Sequence, residues 1–251
     1  MNAATGWKPV ELRKFNAMKS FFTFLLACGV APAFAQTVSN ITVTSLEAEA
    51  ILKGQYDPSA YAASVPISDH WQVLCELEQR VSPDSLHALL VQLETFHNRN
   101  SYSDTLSTAS GIGAARRWAY ELFQQYSAAN EGRLIPAYLR FDVDDPDSLA
   151  CGFRQGWKNV LGILPGSDTT NKSLVIIEAH LDSRCANNCD GDCLAAGMED
   201  NGSGTALVLE LARVLSKYTF DHTIVFMLNT GEEQGLLGAD AMATWCDDHA
   251  I

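Results

Sequence analysis

Three segments combine residue types and spacing that could do chemistry: His180-Leu181-Asp182, Glu199-Asp200-Asn201-Gly202-Ser203-Gly204 and Gly231-Glu232-Glu233. Together they offer one imidazole and several carboxylates. Imidazole with carboxylate is a donor set that suits zinc, whereas carboxylates alone favour harder ions. In an extended segment His-x-Asp puts both side chains on one side, so Asp182 can accept from the imidazole and aim the other ring nitrogen at a metal. Taken singly, each segment has an ordinary structural explanation: a hydrogen-bonded histidine, a turn or helix cap, a solvated acidic face. Their occurrence in order, each at the end of a strand-like run, makes that explanation improbable.

The surrounding pattern says what must hold them. Leu174-Val175-Ile176-Ile177 is a continuous apolar run, expected of a central strand covered on both faces, and it delivers His180 at its carboxyl end. Gly204 to Lys217 has Leu207, Leu211, Val214 and Leu215 on one side and predicts a helix; Thr223 to Leu228 predicts the next buried strand, which leads into Glu232-Glu233. Upstream, Ser82-Pro83-Asp84 opens a helix through Leu86, Leu89, Leu90, Leu93 and Phe96, and a second helix runs from about Gly113 to Tyr126. Ile135 to Val143 and Asn159 to Leu164 read as strands, with Pro165-Gly166-Ser167-Asp168 a turn, and Gly235 to Asp247 as a closing helix. Strands alternating with helices predict an α/β fold, a three-layer α/β/α domain with a largely parallel central sheet. In such a sheet, ligands bind outside the carboxyl ends of the strands, where the three segments fall.

Composition narrows the classes. Of the 251 residues, 47% are hydrophobic, enough to bury a sizeable core, and Lys+Arg 17 against Asp+Glu 30 gives a formal charge of −13. That balance argues against nucleic acid as a partner. The long apolar stretch from Phe21 to Ala35 is interrupted by Pro32 and too short for a stable membrane span. With Lys19 before it and Ala33-Phe34-Ala35 closing it, it reads as a signal peptide cleaved after Ala35. Met18 makes an ordinary start for such a signal, so residues 1–17 read as an upstream extension. A competing reading makes Leu25-Leu26-Ala27-Cys28 a lipoprotein box acylated at Cys28, but Leu26 stands where a smaller residue is usual. Export, to the periplasm or the medium, is the expectation. Residues 36–83 are read as an N-terminal extension and 84–251 as part of the catalytic domain. Beyond the leader stand Cys75, Cys151, Cys185, Cys189, Cys193 and Cys246. An even number in an oxidising compartment predicts disulfides with no free thiol, their connectivity left open.

At this point the motifs resemble a known family, the secreted co-catalytic di-zinc aminopeptidases, which include bacterial leucine aminopeptidases, aminopeptidase Y and glutamate carboxypeptidase-like enzymes. The resemblance covers residues 84–251. It rests on Ala179-His180-Leu181-Asp182-Ser183, Glu199 to Gly204 and Gly231-Glu232-Glu233-Gln234-Gly235-Leu236-Leu237-Gly238, with support from Asn159-Val160-Leu161-Gly162 and Pro165-Gly166. It implies that His180 binds one zinc, Asp200 bridges two, Glu233 binds the other, Glu232 is the general base and Asp182 supports His180. The implied activity is removal of N-terminal residues from peptide substrates. The same resemblance implies a further Asp and a final His as ligands after the Glu-Glu pair. The chain ends eighteen residues past Glu233 without matching either, so the expectation is a zinc exopeptidase-like fold incomplete at the C-terminus. Two alternatives belong to other classes: a glutaminyl cyclase-like enzyme using one zinc, and a receptor-like or truncated chain of the same fold without catalysis. The Asp200 segment and the paired Glu232-Glu233 favour the two-metal hydrolase.

Overall fold

A computed structural model describes residues 38–143, 151 and 155–251. The signal-peptide and lipoprotein readings of residues 1–35 lie outside the described residues. Five strands form one sheet: β1 (Val38–Val43), β2 (Ile135–Val143), β3 (Trp157–Leu164), β4 (Leu174–His180) and β5 (Thr223–Asn229). Their spatial order is β1-β2-β3-β5-β4. The flanking helices are α1 (Leu46–Leu52), α2 (His70–Arg80), α3 (Pro83–Glu94), α4 (Gly111–Ala129), α5 (Gly204–Leu215) and α6 (Leu237–Asp248).

The expected largely parallel sheet is corrected in direction. β1 with β2, β2 with β3, and β3 with β5 pair antiparallel, and only β4 with β5 is parallel. Parallel neighbours need a crossover long enough to return the chain to the same end, usually a helix. β4 and β5, consecutive along the chain, are joined by such a crossover through α5.

The three layers are present. On one face Leu89, Leu93, Ile112, Phe123 and Leu209, from α3, α4 and α5, pack on Val160, Phe226 and Leu228. On the other face Ile51, Leu52, Met242 and Trp245, from α1 and α6, pack on Leu139, Leu161 and Val225. Adjacent residues of β5 thus serve opposite cores, and all seven of its residues are buried. β5 is an interior strand, buried as its own pattern predicted, whereas the Leu174 run expected to be central is not. β4 lies at the sheet edge with Val175 45% and Ile176 39% exposed. An apolar run reports what could be covered on both faces but not which strand is given two neighbours.

Ser82 caps α3 as expected, its Oγ accepting the Ser85 N–H at 3.2 Å with Pro83 in the first turn. Val38 to Val43, within the segment read as an extension, pairs with β2 as the opposite sheet edge. The cysteine expectation is corrected in part. Cys151–Cys189 and Cys185–Cys193 are bonded, but Cys75 and Cys246 are free.

Candidate metal centre

β4 and β5 are adjacent and parallel, so their carboxyl ends open side by side, with His180 paired against Asn229 in the last register. β4 ends in His180, β5 runs into Gly231-Glu232-Glu233, and a short π-helical turn, Met198–Ser203, carries Asp200 ahead of α5. The three expected segments therefore meet at one edge. The ligand atoms of His180, Asp200 and Glu233 all lie within 4.8 Å of one another. His180 Nε2 stands 3.1 Å from Asp200 Oδ1 and 3.7 Å from Glu232 Oε2.

Residue 182 holds His180 by a different atom than expected. Nδ1 donates to the main-chain carbonyl of Asp182 at 3.0 Å, while the Asp182 carboxylate is 3.7 Å away. A proton kept on Nδ1 leaves Nε2 as the ligand atom. The carboxylate of Asp182, fully buried, instead accepts the backbone N–H groups of Glu232 at 3.4 Å and Glu233 at 3.3 Å. One residue thus ties the end of β4 to the acidic pair after β5. Burial pushes the Asp182 carboxyl above the ordinary carboxylate range, against the opposing pull of His180 and those two N–H groups. Burial likewise raises Glu233, opposed by the Arg184 guanidinium, whose Nε lies 2.6 Å from Glu233 Oε2.

The backbone around the acidic pair is fixed from both flanks. Asn159, buried at the start of β3, accepts the Thr230 N–H at 3.0 Å and donates to the Gly238 carbonyl at 2.8 Å. Gly231 has φ +82°, and a Cβ there would stand 2.7 Å from the Trp157 ring, so both conformation and space require glycine. Its N–H is held by Ser101 Oγ at 2.9 Å.

The donor set fits zinc: one imidazole nitrogen and two carboxylates converge to ligand spacing, and a third carboxylate, Glu232, stands close by. The cysteine-rich loop is a different matter. Cys185, Asp190 and Cys193 lie close enough for an ion, but the Cys185–Cys193 bond occupies both sulfurs. That loop is anchored to the site: Gln234, next to Glu233, donates to the Asn188 carbonyl at 3.0 Å, and Asn100 donates to the same carbonyl at 2.9 Å.

Several residues that matter here were not singled out from the sequence: Arg99, Asn100, Ser101 and Arg184. The signal for the first three was the polar run Asn98-Arg99-Asn100-Ser101 directly after an apolar helix, a run with no reason to be buried. All four are buried.

An α/β/α domain with a His and carboxylate cluster outside adjacent strand ends has the build of a zinc-dependent hydrolase. Residues 159–250 match peptidase family M28. A probable zinc metalloprotease of Phaeosphaeria nodorum is 36% identical, the match covering 68% of this chain and 37% of that protein. One of Pyrenophora teres f. teres is 35% identical, covering 68% and 36%. The chain thus spans little more than a third of the length of these curated relatives. Among solved structures, LapB of Legionella pneumophila superposes with a TM-score of 0.56 at 19% identity over 83% of this chain and 50% of that one. The LapA aminopeptidase of the same organism gives 0.54 at 22% identity over 74% and 43%. These likenesses bear on the fold.

Proposed function

We propose that this chain is the catalytic portion of an exported zinc-dependent exopeptidase that removes N-terminal residues from peptides, with residues 84–251 as its peptidase-domain portion. The observation that carries the reading is the convergence of His180, Asp200 and Glu233 to within 4.8 Å at one sheet edge, with Glu232 beside them. The match to family M28 and the zinc metalloprotease relatives support it. Two disulfides fit an oxidising compartment, and among the described residues no helix is long and apolar enough to cross a membrane.

His180 through Nε2, Asp200 and Glu233 would hold the ion; Asp200, placed between the other two segments, is the residue suited to share a second one. Zinc bound there supplies a water acidified toward neutrality and polarises the peptide carbonyl. Glu232 would serve as the base, taking a proton from the attacking water and returning it to the leaving amine. Its side chain is partly exposed and so within reach of a substrate. Asp182 keeps Glu232 and Glu233 in place through their backbone N–H groups, so adjacent glutamates can serve as base and ligand without exchanging roles.

The test is release of a free N-terminal amino acid from a short peptide by the full chain. Release is expected to stop with a chelator and return with zinc, and Glu233→Ala should lower bound zinc by elemental analysis. Zinc content unchanged in Glu233→Ala removes the ligand assignment. Loss of ammonia from an N-terminal glutamine, with no free amino acid, identifies the cyclase alternative instead.

A further inference from the structure

Arg99 is wholly buried, yet among the described residues its guanidinium donates to main-chain carbonyls and to no carboxylate. Nε donates to Leu181 at 2.9 Å, Nη1 to Leu93 at 3.0 Å and Ala196 at 2.6 Å, and Nη2 to Gly197 at 3.0 Å. Those four carbonyls belong to three separate stretches: the end of α3, the His180-Leu181-Asp182 segment, and the turn that leads to Asp200. The backbone repeats the connection. The Arg99 N–H donates to Ser183 Oγ at 3.2 Å, the Ser183 N–H donates to the Arg99 carbonyl at 3.4 Å, and Ser183 Oγ donates to the Ala195 carbonyl at 2.7 Å. Packing is close enough to leave no slack. Gly197 has φ +49°, and a Cβ on it would stand 2.5 Å from Ser183 Cβ, 2.8 Å from the Asp200 carbonyl and 3.1 Å from Arg99 Nη2.

We propose that Arg99 is a positioning residue for the metal centre: its planar fork sets the spacing between the segment bearing His180 and the turn bearing Asp200. The inference rests on the zinc reading of that cluster. A buried cation normally costs more than it returns unless its donors find partners, and here four of the five N–H donors meet backbone carbonyls. Burial brings the guanidinium down to about 10, with Asp182 pulling the other way, so it stays charged at neutral pH. Lysine presents its donors from one atom and cannot span these stretches.

A second buried arginine supplies the control. Arg133 donates to the carbonyls of Tyr61, Ser216, Lys217 and Tyr218, at the start of β2 and before β5, the end of the sheet away from the centre. Arg99→Gln, Arg133→Gln and the unaltered full chain are compared for thermal stability and for zinc affinity by competition with a metallochromic dye. Both variants are expected to lose stability. Zinc affinity is expected to fall about 10- to 100-fold in Arg99→Gln, as for other residues that orient ligands, and to stay within about twofold in Arg133→Gln. If Arg99→Gln does not fold, Ser183→Ala removes one link of the same staple and should weaken zinc in the same direction by less. Folded Arg99→Gln binding zinc as tightly as the unaltered chain overturns the proposal; so does Ser183→Ala where it is the variant that folds. An unaltered chain that takes up no zinc overturns the metal-centre reading, and this inference with it.

Discussion

The two ends of the β4–β5 pair are closed by the same device and left in opposite electrostatic states. At the amino end Arg133 donates to four carbonyls and Asn130 donates to Ser216 Oγ at 2.8 Å, so a cation faces neutral acceptors. At the carboxyl end Arg99 performs the same closure one layer down, but above it Asp200, Glu232 and Glu233 crowd a single imidazole. Like charges at such separations repel strongly once water is partly excluded. The difference teaches what separates a structural polar cluster from a binding one. The first sets its cation's donors against neutral carbonyls, whereas the second gathers three carboxylates beside the one guanidinium of Arg184, an excess of acceptors that a further cation relieves.

The sharpest way to break that contrast is to alter the acidic end without touching its scaffold. Glu232→Gln keeps shape and hydrogen bonding but cannot accept a proton. Turnover should fall by about 10² to 10⁴, while zinc content and melting temperature stay as they were. A variant within a few-fold of the unaltered protein in rate shows that Glu232 is not the base. One that loses zinc makes Glu232 a ligand.

The opposite change strikes the scaffold and spares the site. Phe123 is fully buried, and a Cβ at Gly162 would stand 2.9 Å from its ring, so the ring packs directly on the backbone of β3. Phe123→Ala should cost about 3–5 kcal/mol and lower the melting temperature by about 10 °C. Zinc affinity, measured well below the transition, should not change. A parallel loss of zinc would mean that core and centre are coupled more broadly than through the loops described above.

Asn159→Ala falls between the two. It leaves the Thr230 N–H and the Gly238 carbonyl without their buried partner, at about 1–3 kcal/mol for an unmade bond. Because those groups flank Glu232 and Glu233, the rate should drop by more than the stability does. Equal stability loss with an unchanged rate would place Asn159 with the scaffold alone.

These contrasts also explain what could be read from the sequence. Ile135 to Val143 appears as the strand predicted, and the helices through Leu89, Trp118 and Leu211 lie where their spacing put them, since amphipathic period reports local structure. The residues expected at the centre are brought together because side chains at strand ends are chemically conspicuous against apolar runs. Direction was not legible. The pattern of β2 or β3 is the same whichever way the neighbour runs, and the edge position of β4 depended on pairing, not composition. Arg99 was hidden for a related reason: a charged residue in a polar stretch looks solvated until the fold wraps three backbones around it.

The smallest effect concerns the two cysteines outside the disulfides, one exposed on α2 and one half buried on α6. Cys151, Cys185, Cys189 and Cys193 should resist alkylation until reduced, whereas Cys75 and Cys246 should react in the native, unreduced protein. Burial raises the Cys246 thiol above its ordinary value, and the thiolate is the reacting form. At a given pH less thiolate is therefore present in the folded protein than in the denatured one. Native Cys246 should label more slowly than denatured Cys246, and its rate should keep climbing with pH beyond the point, about 8.5, where an unperturbed thiol is half ionised. Rate profiles that coincide in native and denatured protein would mean that α6 leaves Cys246 to solvent. Absence of any alkylatable thiol in denatured, unreduced protein would mean a third bridge, and the sequence-based expectation of paired cysteines would stand after all.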